Sequence, residues 1–377
     1  MTSDGNSWAD KLRAAVGQVL PWGAKQPFAP PQKALILQPC CLGRVMMTTP
    51  LLAALSEAFP ETRFDWAISD WALQAIGGNR RLTRTIRSGP GDLAHNSREE
   101  MRDFLEAVKR EGYDTCFIPS ASPLAAHVAR QTGIPQRVGL SAGGRARHTL
   151  IARPPSAERW TARRYLALAA AVGVLETILN TVEMEFAPTD SDRTAVVRWL
   201  VEEFDWLGDT PLVVFHPGGG DNPERSDLDI RWPAYRFARL ANHLQKTHGA
   251  RIVLVGLAEE RALAGEVAGM VPFSPANQAG QMSLGQVAAL CELAGLYVGN
   301  DIGSTHVAAA TGCPTLAIYG PTDPAANAPY MVNGRVQTLW RPYEGEFDWA
   351  NGVSVEEAVA ATDTLLTAYS LGRGATV

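Results

Sequence analysis

The sequence predicts an α/β protein built from two doubly wound parallel-sheet domains in tandem. Three observations carry that expectation. Short apolar strands alternate with helical stretches, the pattern of a parallel sheet covered on both faces. The alternation stops in a polar, Pro-containing passage near Glu185 to Asp192 and then restarts with its own first strand. The chain's 377 residues are also enough for two cores of ordinary size.

In residues 1–32, Trp8, Leu12, Ala15, Val16, Val19 and Leu20 fall at helical spacing, with Lys11 and Arg13 off the stripe. Such a face either makes peripheral contact with a membrane or packs on the protein body, and both readings stay open. Pro27 to Pro31 reads as a linker. The first domain, 33–188, opens with the buried strand KALILQ, Lys33 to Gln38. A helix follows over Thr49 to Phe59, with Pro50 placed in its first turn, where a missing N–H costs little. Strands are expected at Arg63 to Ile68, Tyr113 to Ile118 and Arg137 to Leu140, with helices over 98–111 and 121–132. The second domain, 189–352, repeats the scheme: strands at 212–215, 251–255, 296–298 and 315–318, and helices at 233–248, 258–269, 283–294 and 305–311. A last helix over about 353–370 lies in a closing segment, 353–377. Ligands of such folds bind beyond the carboxyl ends of the strands, so two units in tandem imply a cleft between them.

Composition narrows the function. A net charge of −5 argues against a nucleic-acid partner, because backbone binding needs a basic face. Charged residues at 19% and hydrophobic ones at 46% are the balance of a soluble globular chain. No run of eighteen apolar residues and no N-terminal apolar leader are present, which points to a cytoplasmic protein, peripheral at most to the inner face of the cell membrane. Five cysteines without a CxxC spacing read as reduced, buried thiols. The adjacent Cys40-Cys41 pair could be redox-active or bind a metal, but no neighbouring His or Cys completes a ligand set.

The most informative stretch is Tyr297 to Ala310, where an apolar strand runs through Gly299-Asn300-Asp301 into an Ala-rich helix. A helix's first turn presents unpaired N–H groups and partial positive charge, so Gly303 and Ser304 stand where a diphosphate can be held without metal. Asp301 repels phosphate. Its carboxylate is suited to sugar hydroxyls, or to capping its own turn. His216-Pro217-Gly218-Gly219-Gly220 follows the strand LVVF, and its glycines allow close backbone approach by a ligand. His306 could donate to a phosphate or sugar oxygen, or simply cap the helix.

Together with Asn277 to Leu284 before it and Gly312 to Pro324 after it, this stretch closely resembles the nucleotide-binding half of the ADP-heptose:lipopolysaccharide heptosyltransferase family, glycosyltransferase family 9. The order MSL, GND.G..H.AAA.G.P, YGPTDP is long and specific. The resemblance runs from about residue 33 to the C-terminus, strong over 277–324 and weaker before 210. It implies a GT-B architecture, with two Rossmann-like domains facing a cleft and a C-terminal helix crossing back to the first. It also implies an inverting, metal-independent glycosyltransferase without cofactor. The donor would be a nucleoside-diphosphate sugar, by default ADP-heptose, and the acceptor a cell-envelope saccharide or glycolipid.

The same resemblance assigns roles to individual residues. Arg231, in Ile230-Arg231-Trp232-Pro233, stands where the family's lysine touches the donor phosphates. A guanidinium there keeps the charge and changes the geometry. Glu259 resembles the acid that binds the nucleotide ribose, with Glu260 next door leaving the register open by one. Met282 matches the residue beside the adenine, although packing alone would also explain it. The His216, Gly218, Gly219 loop corresponds to the family's own. Ile302 and Ser304 replace Ser and Pro of many members, a difference that bears on the sugar pocket.

The N-terminal motif departs from the family. Where members carry an Asp regarded as the catalytic base, this chain has Leu42-Gly43-Arg44-Val45, and Arg44 cannot accept a proton. Asp70, ending the second strand, is the substitute expected to face the same cleft, and Arg44 would bind an anionic group of the acceptor. Two other readings stay open: a non-catalytic nucleotide-sugar-binding protein, which Arg44 favours, and a GT-B epimerase or hydrolase that acts on a nucleotide sugar without an acceptor. Asp190-Ser191-Asp192 and Asp227-Leu228-Asp229 have the spacing of a metal motif but read as solvated loops.

Overall fold

The computed structural model describes residues 28–140, 148–222 and 225–369, so the amphipathic stretch Trp8 to Leu20 lies outside the described residues. The chain divides into two compact units. The break falls between Glu183 and Met184, five residues before the expected boundary, and Cys41–Met46 and Gln74–Asn79 group with the second unit.

The first unit holds strands β1 (Lys33–Leu37), β2 (Arg63–Ile68), β3 (Leu82–Arg87), β4 (Thr115–Ile118), β5 (Gln136–Leu140) and β6 (Leu150–Ala152), in the order β3-β2-β1-β4-β5-β6. Every pairing is parallel. Helix α1 spans Leu42–Ala58, α2 Arg98–Arg110, α3 Pro123–Gln131 and α4 Thr161–Ala171. α2 starts at a capping box between Ser97 and Glu100, carries acids in its first turn and bases in its last, and buries Phe104 and Val108. α1 corrects the sequence expectation. It begins at Leu42 rather than Thr49, so Pro50 lies in its interior. An interior proline costs roughly 3 kcal/mol, yet Val45 to Leu55 are almost wholly buried, and that burial outweighs the cost.

The second unit starts with α5 (Asp190–Glu202) and continues through β7 (Leu212–His216), α6 (Ala234–His248), β8 (Arg251–Leu254), α7 (Arg261–Gly269) and β9 (Ala276–Asn277). It ends with α8 (Leu284–Leu293), β10 (Leu296–Asn300), α9 (Gly303–Ala310), β11 (Thr315–Ile318), β12 (Val336–Leu339) and α10 (Val355–Tyr369). The sheet order, β9-β8-β7-β10-β11-β12, repeats that of the first unit, again all parallel. One face is covered by a core around Phe215, Trp232, Phe237 and Leu366, the other by one around Val214, Leu290 and Tyr297. α10 groups with the second unit and packs on α6 and on β10, β11 and β12, burying Ala358, Ala361, Leu365 and Leu366.

One DxD triplet differs from the solvated-turn reading and the other keeps it. Asp190-Ser191-Asp192 is the first turn of α5, where Thr189 and Asp192 form a capping box. Asp227 precedes a single 3-10 turn, Leu228–Ile230. The cysteines also differ in part. Cys116, Cys291 and Cys313 are free and buried, but Cys40 and Cys41 are disulfide-bonded, to each other since the remaining three are free. No helix of the described residues is long and apolar enough to cross a membrane.

Candidate active site

In the second sheet the strand order reverses between β7 and β10, the point at which open α/β sheets bind ligands. The two strands run side by side there, with Gly299 opposite His216. Each ends in a buried polar side chain, His216 and Asn300.

Glu260 organises the loops around these strand ends. It lies in the 3-10 turn Ala258–Glu260 after β8 and is buried. Its Oε2 accepts from the Leu257 amide at 2.7 Å and lies 2.9 Å from His216 Nε2, while Oε1 accepts from the Gly219 amide. Arg231 stands 3.8 Å from Oε1. Burial pushes this carboxyl's pKa up, but the hydrogen bond and charge of His216 and the two amides outweigh it and hold the group at about 2. An ionised Glu260 only accepts, so His216 Nε2 carries the proton toward it. His216 Nδ1 lies 2.8 Å from the Ser304 hydroxyl, and the Tyr297 hydroxyl lies 3.1 Å from the same oxygen. Glu260, His216, Ser304 and Tyr297 thus tie the glycine loop to the start of α9.

Asn300 makes the second set of ties. Its Nδ2 donates to the carbonyls of Pro217 (3.0 Å) and Gly218 (2.9 Å), and its Oδ1 accepts from the Trp232 amide at 3.0 Å. Arg231 donates from Nε to the Gly219 carbonyl at 2.7 Å. The loop glycines are therefore demanded by the protein itself. A Cβ on Gly218 would collide with the Glu260 carboxylate, and Gly219, at φ +102°, would meet Ile302. The Gly219 amide already serves Glu260, so the free-amide role expected for this loop does not extend to it.

At the head of α9, Ile302 occupies the N-cap position and its side chain makes no cap hydrogen bond. Gly303 is packed against Leu42, since a Cβ there would approach it to 2.5 Å. His306 is buried, its Nδ1 has no partner among the described residues, and burial lowers its pKa to about 4. The folded ring is therefore neutral in a range where the unfolded one, near 6.5, is charged. Stability is complete above about pH 6.5 and is lost as pH falls toward 4. His306→Asn should remove that loss: between about pH 7 and pH 5, urea unfolding should show the unsubstituted chain losing about 2 kcal/mol more than the variant.

The structure thus gathers His216, Gly218, Gly219, Arg231 and Ser304 into one network, with Gly303 and His306 on the same helix as Ser304. Both nitrogens of His216 are engaged within the protein, which makes it a positioning group. Glu259 is exposed beside the inward-facing Glu260. Met282 packs on the core of Val214 and Leu290. Asp301 follows the last residue of β10 and lies close enough to Tyr319 to raise its pKa, after burial. Arg44 is exposed. Asp70, in the first unit, is held by Arg87 at 2.6 and 2.5 Å, and that hydrogen bond lowers its pKa. Sequence reasoning missed Glu260 and Asn300 as the organisers. The available signal for Asn300 was an amide closing a strand of buried apolar residues, which must find partners inside the protein.

Residues 101–347 match the family profile described as glycosyltransferase family 9 (heptosyltransferase). The chain belongs to glycosyltransferase family 9. It is a glycosyltransferase, and its fold class is GT-B with two Rossmann-like domains. Among relatives of this family-9 enzyme is lipopolysaccharide heptosyltransferase 2 of Escherichia coli strain K12, 27% identical over 321 residues that cover 82% of this chain and 89% of the relative. Two solved structures share its fold. A glycosyl transferase family 9 protein from Veillonella parvula matches with a TM-score of 0.77 at 22% identity, over 89% of this chain and 98% of that one. Heptosyltransferase WaaC of E. coli with ADP matches with a TM-score of 0.67 at 19% identity, over 88% and 99%.

Proposed function

We propose that this family-9 enzyme moves heptose from ADP-heptose to a lipopolysaccharide-core acceptor, with inversion and without a metal ion. The observation that carries the reading is the start of α9, with an apolar Ile302 at its N-cap, held beside the glycine loop and Arg231 by the Glu260 network. A helix N-terminus and a guanidinium next to it stabilise the charge that grows on a departing diphosphate. The relatives' names supply the sugar and the acceptor class, and WaaC's complex supplies the nucleotide. In this reading Gly303 and Ser304 offer amides to the diphosphate, His306 donates to it, Asp301 and Glu259 take sugar and ribose hydroxyls, and Met282 lies by the adenine. The acceptor hydroxyl attacks the anomeric carbon opposite the diphosphate. Asp70 is the base once Arg87 releases it, and Arg44 binds an anionic group of the acceptor.

The test is turnover of ADP-heptose with a heptose-deficient core lipopolysaccharide, with and without EDTA, the new linkage being assigned by NMR. Transfer that survives EDTA and inverts the anomeric centre is expected, together with calorimetric preference for ADP over UDP and GDP. Sugar release or isomerisation without acceptor, retention, or loss of activity in EDTA would overturn the corresponding part of the proposal. Asp70→Asn should lower kcat by at least about a hundredfold with donor KM little changed if Asp70 is the base.

A further inference from the structure

Away from the glycine loop, two imidazoles and a carboxylate converge where α10 crosses the end of α6. His248 is the last residue of α6 and His243 lies five residues before it, while Asp363 sits near the middle of α10. Asp363 Oδ1 is 2.9 Å from His243 Nε2 and 2.7 Å from His248 Nε2, and Oδ2 is 3.1 Å from His243 Nε2. One ligand atom from each residue falls within 4.8 Å of the others. We propose that His243, His248 and Asp363 form a binding site for a divalent transition-metal ion of the zinc type, which clamps α10 onto α6.

Geometry and donor chemistry support this. Two neutral imidazoles and one carboxylate are a standard borderline-to-hard donor set for zinc, and three protein ligands leave a fourth position for water. Tetrahedral ligands at about 2.0–2.1 Å from zinc stand roughly 3.3 Å apart. The two separations to Oδ1, 2.9 and 2.7 Å, are about half an ångström short of that, and all three ligand atoms already lie within 4.8 Å of one another. The three side chains are between 22% and 36% exposed, enough for an ion to enter and keep a water. The ligands are also preorganised: both histidines ride one helix, and Asp363 is carried by a helix whose Leu365 and Leu366 are fixed in the core. Binding requires each Nε2, which now faces the Asp363 carboxylate as a donor, to give up its proton to solvent while the neutral ring takes one on Nδ1; the Nε2 lone pair then turns to the ion, and Asp363 supplies one negative charge. The site is separate from the proposed donor site, because Arg231 precedes the first turn of α6 and His248 ends it, about 22 Å along the axis.

The experiment uses the full chain freed of any affinity tag. Zinc titrated by calorimetry should bind one equivalent and raise Tm by several degrees, reversibly with EDTA. The cobalt-substituted protein should show a tetrahedral or five-coordinate spectrum without a thiolate charge-transfer band. The double variant His243→Gln/His248→Gln, folded by circular dichroism, should weaken zinc binding by at least about a hundredfold. Absence of zinc binding, equal binding by the double variant, or a thiolate band showing cysteine ligation would each overturn the proposal. If the double variant fails to fold, the cobalt spectrum of the unsubstituted chain decides.

Discussion

Glu260→Ala should cost about 3–5 kcal/mol of stability and weaken ADP binding by at least about a hundredfold, the largest combined effect expected of any single change in this chain. The carboxylate is the shared acceptor for the Gly219 and Leu257 amides and for His216. Its removal leaves two amides without an acceptor, frees the imidazole and so unties Ser304 at the head of α9. Stability falls because buried donors lose their partner; affinity falls because the loop and helix that would face the diphosphate lose their common anchor. Glu260→Gln separates charge from shape. The acid is held at about 2, against an ordinary 4.5, so its ionised form favours the fold. That contribution, about 3 kcal/mol, is present above pH 4.5 and is lost as pH falls toward 2. The glutamine variant should lack this acid-range loss in urea unfolding while keeping the loss between pH 6.5 and 4 assigned to His306. An acid profile identical to that of the unsubstituted chain would show that Glu260 is not the group that titrates.

The sequence revealed strands better than their ends, and family better than mechanism. KALIL, RFDWAI and RIVL are short apolar runs buried on both faces, and each lies where expected. The edge strand Leu82–Arg87 was missed because LTRTIR is mostly exposed or half-buried and carries no apolar run. The start of α1 was missed because Pro50 looks like a first-turn residue, and only tertiary burial reveals that it is not. Asp190 and Asp192 read as loop because polar residues at a capped helix start resemble any solvated turn. Within the site, GND and HPGGG flagged the right strand ends, but residue type alone assigned too many of their atoms to ligand. Hydrogen bonding shows that Asn300, His216 and the Gly219 amide are largely committed to one another's loops. Choosing between Glu259 and Glu260 depends on a one-residue rotation in a 3-10 turn, which periodicity does not resolve.

Arg231→Ala should act on rate rather than on folding. Its Nε donates to the Gly219 carbonyl and its guanidinium reaches Glu260 only at 3.8 Å, so truncation removes one hydrogen bond and a distant charge, about 1 kcal/mol of stability. The guanidinium has five N–H donors, and the side chain is 26% exposed, which leaves donors to serve a phosphate. If charge builds on the diphosphate as the glycosidic bond breaks, this cation contributes more in the transition state than in the bound donor. kcat should then fall by about 10²–10³, roughly 3–4 kcal/mol, with a smaller rise in donor KM. Arg231→Lys tests whether charge or fork geometry matters. Lysine is the residue that the family resemblance expects here, so partial recovery would mean that charge dominates, whereas activity no better than the alanine variant would mean that bidentate contact is required. An alanine variant with unchanged kcat and a raised KM would place Arg231 in ground-state binding alone, and the helix N-terminus would then have to carry the leaving group by itself.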